Sequence, residues 1–399
     1  MRAQSRKKVP AMKRSRPSRR ARTTPDLEAL VRLSQALGHS SSRMEDTFWQ
    51  GRVSAMVERL LASGDDETLN MALDRLFPMD GRSYDCLADL IEAACENRRG
   101  ASGKEVLLIA VPALAWSRLS IPSGSIPRPV LEALRVQLQA HVFAADVALG
   151  LADLMFSPDQ LPETFSEIAS LADALGASAL KGSDLHIDPA SLPETVNFLS
   201  DTRYIVGAVA VESGAPVFRW QEDDGDRDEA LRRWRIQGGE LLRSLLPACA
   251  VEMLLPLAFH AACREADRSS RPYALRASVD FLNAVLGVTP AQLTAVAAPF
   301  HDRRLEEYRI GLVVSHSGQV VHGTTWPLLE MEDENTDIAG QIEAVLKELG
   351  IGRIVLLDQR FPLEYCDDCG APLYPNPDGE PVHAELPEED APPAARHLH

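Results

Sequence analysis

Two cysteines near the end of the chain carry its clearest chemistry. Cys366 and Cys369 are spaced Cys-x-x-Cys, with Gly370 directly after them, and are reached from an apolar run through Pro362 and Leu363. Two thiols three positions apart can grip one ion from a single tight turn, and zinc takes four tetrahedral ligands from thiolate and imidazole. A glycine after such a turn supplies the positive φ that lets backbone N–H groups face the sulfurs. The pair is nevertheless only half a site.

A second pair offers the other half. Pro256-Leu257-Ala258-Phe259-His260-Ala261-Ala262-Cys263 aligns with Pro362-Leu363-Glu364-Tyr365-Cys366-Asp367-Asp368-Cys369 at an offset of 106 residues, so His260 falls on Cys366 and Cys263 on Cys369. The expectation is a structural Cys₃His zinc site made of Cys366, Cys369, His260 and Cys263. His383, separated from Cys369 by thirteen residues, is a different closure, together with an acid or a partner chain. The competing reading has His260 and Cys263 packed at a strand end and Cys366 and Cys369 in a metal-free turn, since buried cysteines usually pack rather than react.

Other chemistries fit less well. Thiol redox wants Cys-x-x-Cys at a helix N-terminus, and Pro372, Pro375 and Pro377 forbid a helix here. Asp224, Asp226 and Asp228 alternate as calcium ligands do, but the sixth loop position is Glu229 rather than glycine and the twelfth is Arg235 rather than glutamate. His316, Ser317 and His322 have no nucleophile elbow, phosphate loop or dinucleotide fingerprint beside them and read as turn or surface residues. Trp220, Trp234 and Trp326 read as core or interface anchors.

The elements that would position the knuckle repeat themselves. Tyr204-Ile205-Val206-Gly207 and Tyr308-Arg309-Ile310-Gly311 lie 104 residues apart, and the same offset pairs Ser213-Gly214 with Ser317-Gly318 and Val217 with Val321. Each copy reads as a hairpin, an acidic loop, a helix (about 228 to 246, and 337 to 349) and an apolar strand (Val251 to Phe259, and Arg353 to Asp358), which is ββαβ twice. Between the copies Tyr273 to Leu286 reads as a helix and Ala295 to Phe300 as a short strand. Upstream, apolar periodicity and breaks at Gly64, Pro78 and Gly81 predict a helical bundle over residues 26–98, with Cys86 and Cys95 on its last helix as structural thiols. Residues 98–103 read as a linker. Residues 104–200 form an α/β module with strands at Glu105 to Trp116 and Asp146 to Phe156, helices from Val130 and Pro162, and a shorter helical piece at Pro193 to Leu199.

The fold class is thus α+β or α/β: a helical N-terminal domain, then α/β modules, of which 203–300 and 306–370 are the ββαβ duplication. Residues 371–399 read as a Pro-rich acidic tail. Residues 1–25 hold ten cations and no acid, and the remainder sets 31 cations against 58 acids, a formal −27. An acidic body repels phosphate backbones, so nucleic acid would be met only by the basic tail, read as a disordered arm. The tail lacks the apolar segment of a secretory signal, and the longest apolar run, Val106 to Trp116, falls well short of the ~20 residues that cross a bilayer. Six cysteines in 399 residues make no disulfide framework. A soluble cytoplasmic protein that avoids membranes and has room for an unidentified protein partner is expected.

With the basic tail and Asp65-Asp66-Glu67-Thr68-Leu69, the run Cys366-Asp367-Asp368-Cys369-Gly370-Ala371-Pro372-Leu373-Tyr374-Pro375-Asn376 resembles an uncharacterised bacterial family, a domain of unknown function of about 400 residues. The resemblance implies a bacterial cytoplasmic origin and no activity. The residues themselves point to a non-catalytic structural or regulatory protein with zinc between the duplicated halves. A metal-dependent enzyme with its cleft between the repeats is the alternative from another class, and nucleic-acid association through the tail is a third.

Overall fold

In the computed structural model, the described residues are 24–386 except 101, 102, 197, 316, 317 and 330. All of the basic segment before Thr24 lies outside them, as do residues 387–399. The described residues form two compact units, divided between Ala266 and Asp267. Both mix helices and sheet, so the class is α+β.

The first unit begins with four helices, α1 (Pro25–Gly38), α2 (Arg43–Ser63), α3 (Asp66–Leu76) and α4 (Gly81–Glu96). Each starts where a short polar side chain meets an orphan backbone donor: Thr24, Ser42, Asp65 and Asp80 accept from the N–H three residues on. Leu30, Val57, Leu69 and Ile91 fill the space between them. The expected linker does not form. Its first residues continue from α4 as strand β1 (Asn97–Arg99), paired antiparallel with β2 (Glu105–Trp116). Backbone donors beside a twelve-residue apolar strand are better satisfied by pairing than left to solvent.

The sheet grows through β3 (Gly124–Ser125), helix α5 (Arg128–His141), β4 (Ala148–Phe156), helix α6 (Phe165–Lys181), β5 (Ser200–Val211), helix α7 (Arg227–Arg243), β6 (Ala250–Met253) and β7 (Leu257–Ala258). Its order is β1-β2-β5-β4-β3, with β6 and β7 also on β2, and all its pairs are antiparallel. β2 and β5 pair over their full lengths, from Glu105 against Val211 to Trp116 against Ser200. Leu134 and Leu138 of α5 and Trp234 and Leu242 of α7 close one core with Val111, Leu151 and Val209 of the sheet. Pro193 to Leu199 is not helical in its described residues.

Helix α8 (Phe259–Leu286) follows directly on β7, and the division between the units falls within it. Three expectations change here. The predicted strand from Val251 to Phe259 is two short strands with a break between them, the helix expected from Tyr273 begins at Phe259, and Pro272 lies inside it. His260 and Cys263 therefore stand on the first turns of a helix rather than in a knuckle.

The second unit adds β8 (Leu293–His301), β9 (Leu305–Val314), β10 (Val320–Pro327), helix α9 (Ile338–Glu348), β11 (Arg353–Leu356), β12 (Phe361–Pro362) and the short pair β13 (Tyr374–Pro375) and β14 (Pro381–Val382). Its main sheet runs β10-β9-β8-β11, with β12 also on β8. Ile338, Ile342 and Leu346 of α9 and Leu275, Val279 and Leu282 of α8 cover one face, over Ala295, Ile310 and Leu312. The ββαβ pattern is complete here, with β9 and β10 as its hairpin. In the first unit the segment after Ser213-Gly214 makes only a single bridge, Phe143 to Phe218, and a short 3₁₀ turn at Arg219–Gln221. The strand after the helix also differs: β6 runs antiparallel to β2, whereas β11 runs parallel to β8.

Candidate metal centre

The site is built on the second sheet. Gly311 of β9 and Gly323 of β10 are cross-strand partners, and together they make a hollow on the sheet surface. A Cβ on Gly311 would stand 2.3 Å from the carbonyl oxygen of Pro375, and one on Gly323 would stand 2.3 Å from the ring of Tyr374. Strand β13 thus lies over two side-chain-free positions, with the Pro375 carbonyl close over Gly311 and the Tyr374 ring close over Gly323. The residues expected as a tail are, as far as Leu386, part of the fold. Tyr374 is buried, which pushes its phenol well above the usual range. A Gly323→Val substitution, which needs no new backbone geometry in a strand, is expected to lift β13 from the sheet, read as loss of amide exchange protection at Tyr374 and Val382.

The knuckle precedes this strand. The Cys366 N–H donates to the carbonyl of Ala371 at 2.8 Å, and the Gly370 N–H donates to the carbonyl of Cys366 at 2.8 Å. Gly370 has φ 71°, the left-handed value anticipated from its place after the second cysteine. Backbone N–H groups of Cys369 and then Asp368 donate to the Cys366 sulfur and hold its thiol below the usual range. That is the polarity a metal thiolate requires.

Arg309 of β9 fastens the knuckle at both ends. Its Nη1 donates to the carbonyls of Glu364 at 2.6 Å and Leu373 at 2.9 Å, and its Nε to Glu307 at 2.7 Å. The guanidinium lies 4.4 Å from the ring centroid of Phe300 and 4.9 Å from that of Tyr365. Wholly buried, this arginine satisfies two carbonyls that a tight turn leaves over.

The hairpin delivers a third donor. Tyr374 pairs with Val382 and Pro375 with Pro381, around a turn in which Asn376 Oδ1 accepts from the N–H groups of Asp378 and Glu380. His383 therefore comes back beside the knuckle, with Nε2 3.2 Å from Cys369 Sγ. Its Nδ1 lies 3.5 Å from Glu385, whose own N–H donates to the carbonyl of Val320 and ties this segment to β10. The donor atoms of Cys366, Cys369 and His383 all lie within 4.8 Å of one another, so the three could hold a metal ion. A carboxylate on the far ring nitrogen fixes the tautomer and orientation of a ligating histidine.

The quartet expected from the repeat is divided between the units. Cys366 and Cys369 stand in the second. In the first, His260 and Cys263 are both buried on α8. The His260 backbone N–H donates to Glu96 of α4 at 3.1 Å, and its ring Nε2 has no hydrogen-bond partner among the described residues. Burial lowers the imidazole to about 4, opposed by nearby Glu92 and assisted by Arg264. Burial likewise raises Glu96 to about 7. In the sequence alone His383 ranks behind this quartet. The signal that favours it is the turn Asn376-Pro377-Asp378-Gly379 between two short extended pieces, which folds the chain back by the needed distance.

Among the described residues no helix is long and apolar enough to cross a membrane. The chain belongs to the family described as "Protein of unknown function (DUF2863)", which matches residues 15–397. No curated protein and no solved structure matches it.

Proposed function

We propose that this is a zinc-binding protein in which Cys366, Cys369 and His383 hold the ion and the ion locks the C-terminal hairpin onto the knuckle. The observation that carries the reading is the convergence of two thiols and an imidazole, with a carboxylate behind the imidazole. The donors are soft and borderline, which favours zinc over magnesium or calcium. The role is structural: the ligands stand on a turn and beside a short hairpin, and one ion bound by both ties the two together.

Three donors from the chain leave one of zinc's four positions for a water or a further ligand, and this favours a second reading, a metal-dependent enzyme. The quartet with His260 and Cys263 is a different ligand set for the same ion, supported by the unpartnered Nε2 of His260. Cobalt(II) substitution separates these possibilities. Two thiolates give sulfur-to-cobalt charge-transfer bands that Cys263→Ser leaves intact, and His383→Ala alters the visible bands. Cyanide that perturbs the spectrum supports an open position and the enzymatic reading, whereas an inert spectrum supports a closed structural site. Charge transfer of three thiolates, lost in part on Cys263→Ser, would establish the quartet instead.

A further inference from the structure

Helix α2 has two apolar faces, and its own fold uses one. Val53, Met56, Val57, Leu60 and Leu61 are buried in the helical bundle. Across the helix stand Met44, Phe48, Gly51 and Ala55, all exposed, with Met44 at 86% and Phe48 at 53%. Their spacing of four, three and four residues is the seam of a coiled coil. A surface helix packed on a bundle normally turns polar residues to water on that side. Gly51 adds to the anomaly, because a glycine in the interior of a helix costs about 1 kcal/mol relative to alanine and nothing stands within 4 Å of where its Cβ would be. The fold of one chain gives no reason for it.

We propose that this face pairs antiparallel with α2 of a second copy of the chain. In that register Phe48 of each copy lies over Gly51 of the other, and Met44 lies over Ala55, so each large side chain meets a small one. The charges agree as well. Glu45 and Arg52 flank the seam on the same side, and antiparallel pairing brings Glu45 of one copy to Arg52 of the other, twice by symmetry. Both groups have capacity for this. The bonds Glu45 accepts from Ser41 and Ser42 fall on Oε2, and the Arg52 guanidinium rests over the Phe48 ring at 4.8 Å from its centroid. A parallel pair would stack Phe48 on Phe48 and Gly51 on Gly51 and would leave Glu45 and Arg52 of the two copies on opposite sides of the seam, so it gains neither complementarity.

The seam is only four residues long, short of the roughly 800 Å² per partner of a stable interface, so the dimer is weak. Sedimentation equilibrium of the full chain over a concentration series is expected to show a reversible monomer and dimer. Phe48→Glu and Gly51→Leu, both at exposed positions, are expected to leave only monomer with unchanged helix content. Glu45→Arg and Arg52→Glu are each expected to weaken association about tenfold, and the two together to restore it, because the swap re-forms the cross-copy pair. A wild type that stays monomeric up to millimolar protein overturns the proposal. So does a dimer indifferent to Phe48→Glu and Gly51→Leu, or a charge-swapped double variant no better than its parents.

Discussion

Replacing Arg309 by methionine is expected to destabilise the second unit by about 3–5 kcal/mol, although the substitution keeps most of the side chain's bulk. The cost has two sources. Glu307 loses its partner in a nearly enclosed setting, and the carbonyls of Glu364 and Leu373 lose the donor that holds the knuckle's two ends together. Chemical denaturation followed by amide exchange of the β9 and β10 backbone measures this directly. Adding Glu307→Leu to Arg309→Met is expected to recover part of the loss, because the unpaired carboxylate is then gone while the orphaned carbonyls remain. A loss under about 1 kcal/mol for Arg309→Met would show that the guanidinium does not fasten the knuckle.

Glu96 and His260 make the second large prediction, and it concerns pH. Glu96 is raised to about 7 from 4.5, so the folded chain keeps its proton while the unfolded chain loses it, and stability falls as pH rises from 4.5 to 7. His260 is lowered to about 4 from 6.5, so the unfolded chain binds the extra proton and stability rises over pH 4 to 6.5. Each shift corresponds to a change on the order of 3 kcal/mol, with opposite signs in nearly the same window, and the two cancel in the wild type. Glu96→Gln keeps an acceptor for the His260 N–H and removes one half. Relative to wild type, its unfolding free energy is expected to gain about 3 kcal/mol between pH 4.5 and 7. His260→Leu is expected to lose a similar amount relative to wild type between pH 4 and 6.5. Difference profiles flat in pH for both variants would mean that neither group is buried as described.

Where side-chain periodicity carried the information, the fold was legible in the sequence. The four N-terminal helices follow from their capping residues and apolar spacing, and β2 from its unbroken apolar run. The expected duplication finds counterparts only in part. Arg203 stands 106 residues before Arg309 and does a similar task, donating to Asp201 and to the carbonyls of Ile121 and Pro122 from a buried position on β5. The sheet orders β4-β5-β2-β6 and β10-β9-β8-β11 also rank alike. Yet the hairpin partner of β5 is not the segment that follows it. β5 takes β2 and β4, strands from far earlier in the chain, and such long-range pairing leaves no local trace.

The candidate site was legible only in part, for a related reason. Cys366, Cys369 and Gly370 declare themselves through local spacing. His260 and Cys263 align with them, but Phe259 opens a helix where Tyr365 enters a turn. Nothing in eight aligned residues distinguishes the two, except that Gly370 and Pro372 follow one pair and Arg264 and Glu265 the other. His383 is visible in the sequence as an alternative closure, but the prolines around it read as a tail and give no sign that the chain returns to the knuckle. Their role emerges from Gly311 and Gly323, far away in sequence, which give Tyr374 and Pro375 a surface to lie on.

The central claim is that Cys366, Cys369 and His383 bind zinc, and metal analysis of the purified full chain under reducing, chelator-free conditions tests it most directly. One zinc per chain is expected, lost in Cys366→Ser and retained in Cys263→Ser. A wild-type protein without stoichiometric zinc, or one whose zinc survives Cys366→Ser, would contradict the account.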